Sequence, residues 1–550
     1  MEQEAQERTG PHPNPLPEGE ETSALEAPSL AVAALIVAAG FLGSRLLGLL
    51  RSVIIAEAFG TRPELDAYWV AFRLPDLVFQ LLAGATLASA FIPTFAGVRT
   101  RGGEAAAWRL ASSVLNLVLV ATAAFAVVAF LVAGEIVPLL APGLGEETGR
   151  EQELQGLAVD LTRMMLISPV LFAVSGMSMG ILNARRRFLT PALAPMLYNL
   201  SIIVAALVST DVRVLGWGVV AGAALHLAVQ LPDLRLAGMA YRLAADWRDA
   251  AVREVGKLMA PRVLGLAATQ VSFYFVAIFF ASRLGEGAIS AVSFAWLIVM
   301  TPLGIIGMAI STAVFPTLAE QAARADAALA PTLGRALRLI LFFSLPAGVG
   351  LALLAKPLVV VLLQRGAFDV ASSGLTAQAL VFYAPALFAH SGIEILSRGF
   401  YALGDTRTPV GIAVLAMLLN LALAALLVGP LEVRGLALAL SLATAVEFSF
   451  LLAAIGRRIP GFADAALSGA LLRMLLATAA LTLTLGACLV LLRDGAGLAF
   501  ESGGEALAVL AAGTAAGGAA YLAAALALGL EEPRAMAGRL ARRGTTNVKR

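Results

Sequence analysis

The chain has 550 residues and a mass of 56.8 kDa, with 59% hydrophobic residues, 14% charged residues, a mean hydropathy of +0.86 and a net charge of +2. Soluble globular chains are about 45–50% apolar and about 25% charged, so a soluble enzyme, a disordered scaffold and a fibrous protein are excluded. A single cysteine (Cys488) excludes a disulfide framework or cysteine-based zinc site, three scattered histidines (His12, His226, His390) form no ligand cluster, and the small net charge carries no nucleic-acid signature.

Residues 1–28 carry seven acidic groups, one arginine and a Pro/Gly-rich run from Gly10 to Pro17. So little apolar surface cannot offset the entropy of ordering, and the segment reads as a disordered tail. It lacks the basic-then-apolar pattern of a cleaved signal; a start site assigned too far upstream is the alternative reading. Beyond it the apolar excess runs from about residue 29 to about residue 529. A helix needs about 20 mainly apolar residues to cross about 30 Å of hydrocarbon. Candidate spans fall near 30–57, 66–95, 108–133, 157–182, 190–209, 214–238, 256–283, 288–318, 334–354, 374–402, 408–429, 433–456, 468–492 and 505–529, which makes about fourteen. Membrane strands would alternate in runs of about ten residues. Leu117–Ala133 is apolar nearly all round, so the expected fold is an all-α integral membrane protein.

Basic residues gather after the even-numbered spans, at Arg99, Arg101 and Arg109, at Arg185, Arg186 and Arg187, from Arg235 to Lys257, at Arg324, Arg335 and Arg338, and at Arg457 and Arg458. Connections after odd-numbered spans are poorer in them or acidic, as at Glu135, Glu146 and Glu147. By the positive-inside rule both termini are cytoplasmic.

The sequence also repeats itself. Ala90–Phe95 (AFIPTF) returns as Ala313–Leu318 (AVFPTL), an offset of 316 − 93 = 223 between the prolines. Pro169–Gly176 returns as Pro385–Gly392 at 216 with six of eight residues identical, and Thr190-Pro191 returns as Thr408-Pro409 at 218. These matches relate spans six apart. An even number preserves orientation, so two parallel six-helix lobes are expected, with substrate at their interface and access alternating by rocking. The expected organisation is a tail 1–28, a first lobe 29–242, a second lobe 243–457, two further helices within 458–530 and a basic cytoplasmic tail 531–550.

A charge at the bilayer centre costs roughly 2.5–3.5 kcal/mol on insertion scales. The first two spans hold Arg45, Arg51, Glu57, Asp66, Arg73 and Asp76; Arg262 opens span 7, Glu394 and Arg398 lie four apart in span 10, and Glu447 lies in span 12. Arg45 and Arg51 are six apart, about 120° from each other around a helix, so one can face a lumen while the other faces a neighbour. Arg73, Asp76 and Arg398 read equally well as side chains reaching to the interface. A guanidinium donates two parallel hydrogen bonds to paired anionic oxygens, so an arginine-lined cavity suits an anionic headgroup.

Ser44–Arg51 (SRLLGLLR) followed by Asp66–Pro75 (DAYWVAFRLP) resembles the start of the MurJ/MviN family of lipid II flippases, in the multidrug/oligosaccharidyl-lipid/polysaccharide exporter superfamily. Ala90–Phe95, Gln230–Pro232, Ala260–Gly265, Arg365–Phe368 and Arg398–Pro409 (RGFYALGDTRTP) fit as well, so the resemblance spans about residues 30–530. It implies a non-enzymatic flippase moving undecaprenyl-diphosphate-linked peptidoglycan precursor from the inner to the outer leaflet of a bacterial plasma membrane. Implied partners are a lipid-linked anionic substrate, membrane lipids and, as candidates, cell-wall synthesis proteins, with a monomeric chain. No cofactor or metal is expected. No P-loop occurs, which leaves an ion or the membrane potential as the drive, with the ion unassigned.

The chain departs from the family pattern where cavity charge is usual. The family's helix 2 arginine pair falls at Phe79 and Gln80, an acidic residue after it at Gly84, the helix 8 Asp-Arg pair at Trp296 and Leu297, a sodium-associated acid near Val276, and the acid next to Arg51 at Ser52. The expected headgroup set is therefore Arg45, Arg51, Arg73 and Arg262, with Phe79, Gln80, Trp296 and Leu297 as cavity wall and Asp66, Glu394, Arg398 and Asp405 as further candidates. The alternatives are a related exporter of another amphiphile or lipid-linked glycan, a non-transporting relative, and a polyprenyl-phosphate glycosyltransferase. The last would need paired carboxylates in a large outer loop, and 134–156 is short and has none.

Overall fold

The computed structural model describes residues 30–80, 85–259, 275–462 and 465–534. The tail 1–28, the end of the basic tail from residue 535, and Arg262 lie outside the described residues, as does most of the expected span 256–283.

The described chain is all-helical. Its first half contributes α1 (Leu30–Phe59), α2 (Pro63–Val78), α3 (Ala85–Leu131), α4 (Ala133–Leu140), α5 (Glu151–Met165), α6 (Ile167–Ala184), α7 (Leu189–Val208), α8 (Val212–Ala228) and α9 (Leu231–Leu236). The second contributes α10 (Val276–Ala281), α11 (Ala288–Leu303), α12 (Ala309–Ala323), α13 (Leu329–Leu353), α14 (Ala355–Leu363), α15 (Val370–Tyr383), α16 (Leu387–Ala402), α17 (Arg407–Arg458), α18 (Ala465–Val490) and α19 (Gly503–Ala527). Eleven described helical stretches are long and apolar enough to cross a bilayer. Two of them contain a break. Gly103 sits at φ 74° in α3 and Glu432 at φ 54° in α17, just after Pro430. Both breaks fall between expected spans, where the chain reverses.

α1 packs on α7, α7 on α8 and α3 on α6, giving one bundle; α13 packs on α16, α16 on α17 and α11 on α15, giving a second. The C-terminal pair α18 and α19 packs on itself and against α13 and α14, where the Tyr521 hydroxyl donates to the Phe342 carbonyl at 2.6 Å.

The apolar cores show how the bundles meet. One cluster, including Ile55, Phe59, Leu65, Tyr68, Leu154, Ile289, Phe294, Val359 and Phe368, draws on both halves of the chain. Two further clusters lie apart from it: Phe91, Phe95, Trp108 and Ile181 of the first bundle with Val252 and Val255, and Leu333, Leu396 and Ile455 of the second with Met474 of α18. The bundles therefore share a core at one end and keep separate cores toward the other.

Backbone contacts tighten the shared end. The Ala367 N–H donates to the Glu57 carbonyl at 2.8 Å, and the Thr61 and Ser372 hydroxyls are 2.9 Å apart. Gly60 and Gly366 take φ of 63° and 57° there, and a Cβ on either would run into the opposite backbone, the Ala367 and Glu57 carbonyls respectively. Glycine is required on both counts, the left-handed backbone and the close approach.

Candidate functional site

Away from the shared core, the facing surfaces of the two bundles leave a cavity of about 630 Å³. α1 and α2 line it with Arg51, Trp69, Phe72, Arg73 and Asp76, and the turn after α2 with Phe79 and Gln80. α6, α7 and α8 add Phe172, Tyr198, Asn199 and His226, and α11 closes the far wall with Ser293, Phe294, Trp296 and Leu297.

Local sequence dictates how these side chains are presented. Pro75 inside α2 removes a backbone donor and loosens the helix, and residues 79–80 continue as a π-helical turn. In α11, Pro302 is likewise followed by a π-helical segment, Gly304–Met308. With the repeat offset of 223, Phe79 and Gln80 correspond to Pro302 and Leu303, the two residues just before that segment. A π turn inserts an extra residue and so re-aims the side chains around it, which carries Phe79 and Gln80 onto the cavity wall.

Few of the lining groups are charged. Arg73 Nη2 donates across the gap to Ser293 Oγ at 3.3 Å, and its guanidinium lies over the Trp69 ring at 5.8 Å. Gln80 Nε2 donates to Asp76 Oδ2 at 2.7 Å. Arg51 Nε is buried with no hydrogen-bond partner among the described residues. Among the described residues, Arg51 and Arg73 against Asp76 leave the lining one positive charge in excess. Aromatic rings make up much of the rest. Phe172 is a hub, with ring centroids 4.6 Å from Phe79, 5.3 Å from Tyr198 and 5.2 Å from His226. Opposite it, Trp296 packs edge-on against Tyr383 at 5.7 Å and His390 at 5.3 Å. Such a site holds one or two anionic oxygens against broad apolar faces.

A second hollow, an apolar groove of about 550 Å³, runs between α11, α13, α18 and α19, lined by Pro302, Phe342, Pro346, Leu481, Leu485 and Tyr521 among others.

The family model for the lipid II flippase MurJ matches residues 55–500, a stretch that takes in most of both bundles and of the cavity lining, though not Arg51. The lipid II flippase MurJ of Burkholderia cenocepacia is 32% identical over 392 residues, 69% of this chain and 75% of that protein.

This chain belongs to the MurJ family.

A probable lipid II flippase MurJ from Rhizobium tropici is 31% identical over 408 residues, covering 72% of this chain and 75% of the relative. A solved structure described as lipid II flippase MurJ in an inward closed conformation superposes with a TM-score of 0.72 at 23% identity, covering 89% of this chain and 98% of that one. A multidrug resistance MATE family transporter of the MOP superfamily follows with a TM-score of 0.64 at 16% identity, covering 79% and 99%; these likenesses show the fold. A MurJ-family chain is a multi-pass membrane protein of a transporter family, not an enzyme.

Within this MurJ-family fold the expected site residues separate. Arg51, Arg73, Phe79, Gln80, Trp296 and Leu297 share the cavity. Arg45 lies outside its lining: it is exposed, sits over the Phe41 ring at 5.1 Å and directs Nη2 at Met308 Sδ at 3.7 Å, beside Gly304. The 120° between Arg45 and Arg51 separates them. Asp66 belongs to the shared end. It is 2% exposed, and its carboxylate accepts from the Gly287 N–H at 2.8 Å, the Ser290 N–H at 2.7 Å and the Ser290 hydroxyl at 2.5 Å, capping α11 from the other bundle.

Glu394 and Arg398 pair at 2.6 Å, and Arg398 Nη2 donates to Thr312 Oγ1 at 3.1 Å, tying α16 to α12 outside the cavity lining. Asp405 braces a connection. It accepts from the Thr408 N–H at 3.0 Å and hydroxyl at 2.7 Å and meets Arg458 at 3.2 Å. The Thr408 bonds, aided by Arg458, hold its carboxyl below the usual range. The first bundle repeats the device, with the Thr190 hydroxyl donating to Asp233, itself paired to Arg187 at 3.1 Å.

Sequence reasoning passed over His226, Tyr198, Asn199 and Phe172, and left Asp76 open between an interfacial and an inward-facing side chain. A signal existed for His226: His226 and Gln230 are polar residues four apart at the end of an apolar span, and polar groups at membrane depth ask for a purpose.

Proposed function

We propose that this chain moves lipid II, the polyprenyl-diphosphate-linked peptidoglycan precursor, from the inner to the outer leaflet of the bacterial plasma membrane by alternating access. In this reading the two bundles, 29–242 and 243–457, rock against each other, fourteen helices cross the bilayer and both termini are cytoplasmic. The observation that carries it is the cavity between the bundles, with Arg51 and Arg73 at its wall and an aromatic surround, sealed at one end by the shared core. The sealed end is formed by the connections near residues 57–66, 282–290 and 364–372, which alternate with the arginine-rich loops. The positive-inside rule puts it outside, so the cavity opens inward, ready to load. Arg51 supplies a fork for a headgroup oxygen, and the groove between α11, α13, α18 and α19 suits a prenyl chain. Among the described residues no lining group is arranged as a nucleophile or paired acid and base.

One observation favours a second reading. Among the described residues the lining carries a single excess positive charge, which does not neutralise a diphosphate and fits a related exporter of a less charged amphiphile or lipid-linked glycan. Complementation separates the two. A host depleted of its own lipid II flippase should regain growth when this gene is expressed. A membrane-inserted product that restores neither growth nor outer-leaflet lipid II favours the second reading.

A further inference from the structure

A buried polar cluster stands behind the cavity wall of the first bundle. Ser175 Oγ lies 2.6 Å from His226 Nδ1 and 3.2 Å from the His226 carbonyl. Gln230 Nε2 donates to Ser175 Oγ at 2.7 Å and to that carbonyl at 2.9 Å. Ser175 and Gln230 are fully buried and His226 is 7% exposed, its residual surface in the cavity it lines.

The donor inventory ties the ring's tautomer to where the Ser175 hydrogen goes. A serine hydroxyl has one hydrogen. Ser175 accepts from Gln230, and its one hydrogen has two acceptors in reach, the His226 carbonyl at 3.2 Å and Nδ1 at 2.6 Å; the shorter contact assigns it to Nδ1. A neutral imidazole that accepts at Nδ1 carries its proton on Nε2. Nε2–H is the ring nitrogen left for the cavity, and the Phe172 ring, 5.2 Å away, holds the plane in place. Arg51, whose Nε–H has no partner among the described residues, lines the same cavity.

We propose that His226 is a hydrogen-bond donor to a phosphoryl oxygen of the transported lipid, held in its donating tautomer by the positioning residues Ser175 and Gln230. This rests on the lipid-linked diphosphate reading above. It gives that headgroup a donor that adds no charge to a lining whose arginines are partly offset by Asp76. A neutral donor to a charged oxygen, in a site away from bulk water, is stronger than the same bond in water.

The test uses the full chain in nanodiscs with His12→Gln and His390→Gln, so that ¹⁵N-histidine labelling reports His226 alone. The free protein should show the Nε2–H tautomer. Undecaprenyl diphosphate and lipid II should both shift the Nε2 resonance, and undecaprenol should not. His226→Gln, which keeps an N–H near the Nε2 position, should bind both phosphorylated lipids within about 3-fold of the parent, whereas His226→Phe should weaken both by about 10-fold. Ser175→Ala should abolish the tautomer preference. A free Nδ1–H tautomer, an Nε2 signal indifferent to phosphorylated lipid, a response to lipid II alone, or His226→Phe binding at parental affinity would each overturn the proposal. Failure of the transport reading is distinguishable: undecaprenyl diphosphate binds with the expected His226 response, yet the gene does not complement.

Discussion

Replacing Asp66 by alanine should release the sealed end. Its carboxylate accepts three hydrogen bonds at 2.5–2.8 Å from the first turn of a sixteen-residue helix in the opposite bundle. Hydrogen bonds to a charged group contribute about 1.5–3 kcal/mol each, and a carboxylate at a helix N-terminus gains roughly 0.3–1 kcal/mol more. The bonds share one acceptor group and are not additive, so a loss of about 3 kcal/mol in favour of the sealed state is a conservative figure. Every 1.4 kcal/mol is a factor of about ten, which makes a shift of roughly 10²-fold toward opening. The Thr61 and Ser372 hydroxyls, 2.9 Å apart across this end, provide the reporter. With Cys488→Ser as background, the Thr61→Cys/Ser372→Cys pair should oxidise rapidly to a disulfide, and adding Asp66→Ala should slow it by one to two orders of magnitude. Asp66→Asn should fall between, because one amide oxygen replaces two while the amide N–H groups face donors. Unchanged oxidation in a properly inserted Asp66→Ala protein would refute the view that this carboxylate holds the bundles together.

Other outcomes rest on the same geometry. Arg51→Ala should lower lipid II transport by roughly 10²-fold, because truncation leaves a buried anionic partner unpaired, and Arg51→Lys should rescue only in part through loss of the fork; a leaflet-accessibility assay measures both. Gln80→Arg with Leu297→Arg should strengthen binding of the diphosphate headgroup in a lipid-binding titration, and no gain in an inserted protein would favour the less charged substrate. Gly366→Val should lower the melting temperature and reduce the same disulfide's yield, since its Cβ meets the Glu57 carbonyl at a positive φ; a neutral result would show that the loop relaxes. Reporter fusions after Arg101, Arg187 and Arg324 should all read cytoplasmic, and one outside signal would break the proposed orientation.

What could be read from the sequence was set by how local the signal is. Helix positions follow from runs of about twenty apolar residues, and even the breaks at Gly103 and Glu432 coincide with polar punctuation. The angular separation of Arg45 and Arg51 is a property of one helix and needs no partner. The pairing of Arg73 with Ser293, 220 residues away, leaves no trace in a single chain, nor does the use of Asp66 as a cap for a helix in the other bundle. Span 2 holds Asp66, Arg73 and Asp76 close together, and hydropathy alone cannot say which meets the cavity, which meets lipid and which locks two bundles together. His226 was hidden for a related reason. A buried histidine in an apolar helix looks the same in one dimension whether it packs against rings or faces a lumen.

The shared core also bears on what this protein lets through while it waits for cargo. At that end Ile55, Phe59, Leu65, Phe294 and Phe368 interlock around backbone contacts, and the polar groups nearby, Asp66 and Ser290 among them, are spent on each other rather than strung into a file. Protons and small ions cross a membrane protein along continuous columns of water or side-chain hydrogen bonds, and a dry plug several side chains thick interrupts both. A transporter-family chain with a cavity of this size is thereby kept from short-circuiting the membrane potential. Vesicles loaded with a pH-sensitive dye should stay as tight with this protein as without it, and leak once Phe294 and Phe368 are cut back to alanine.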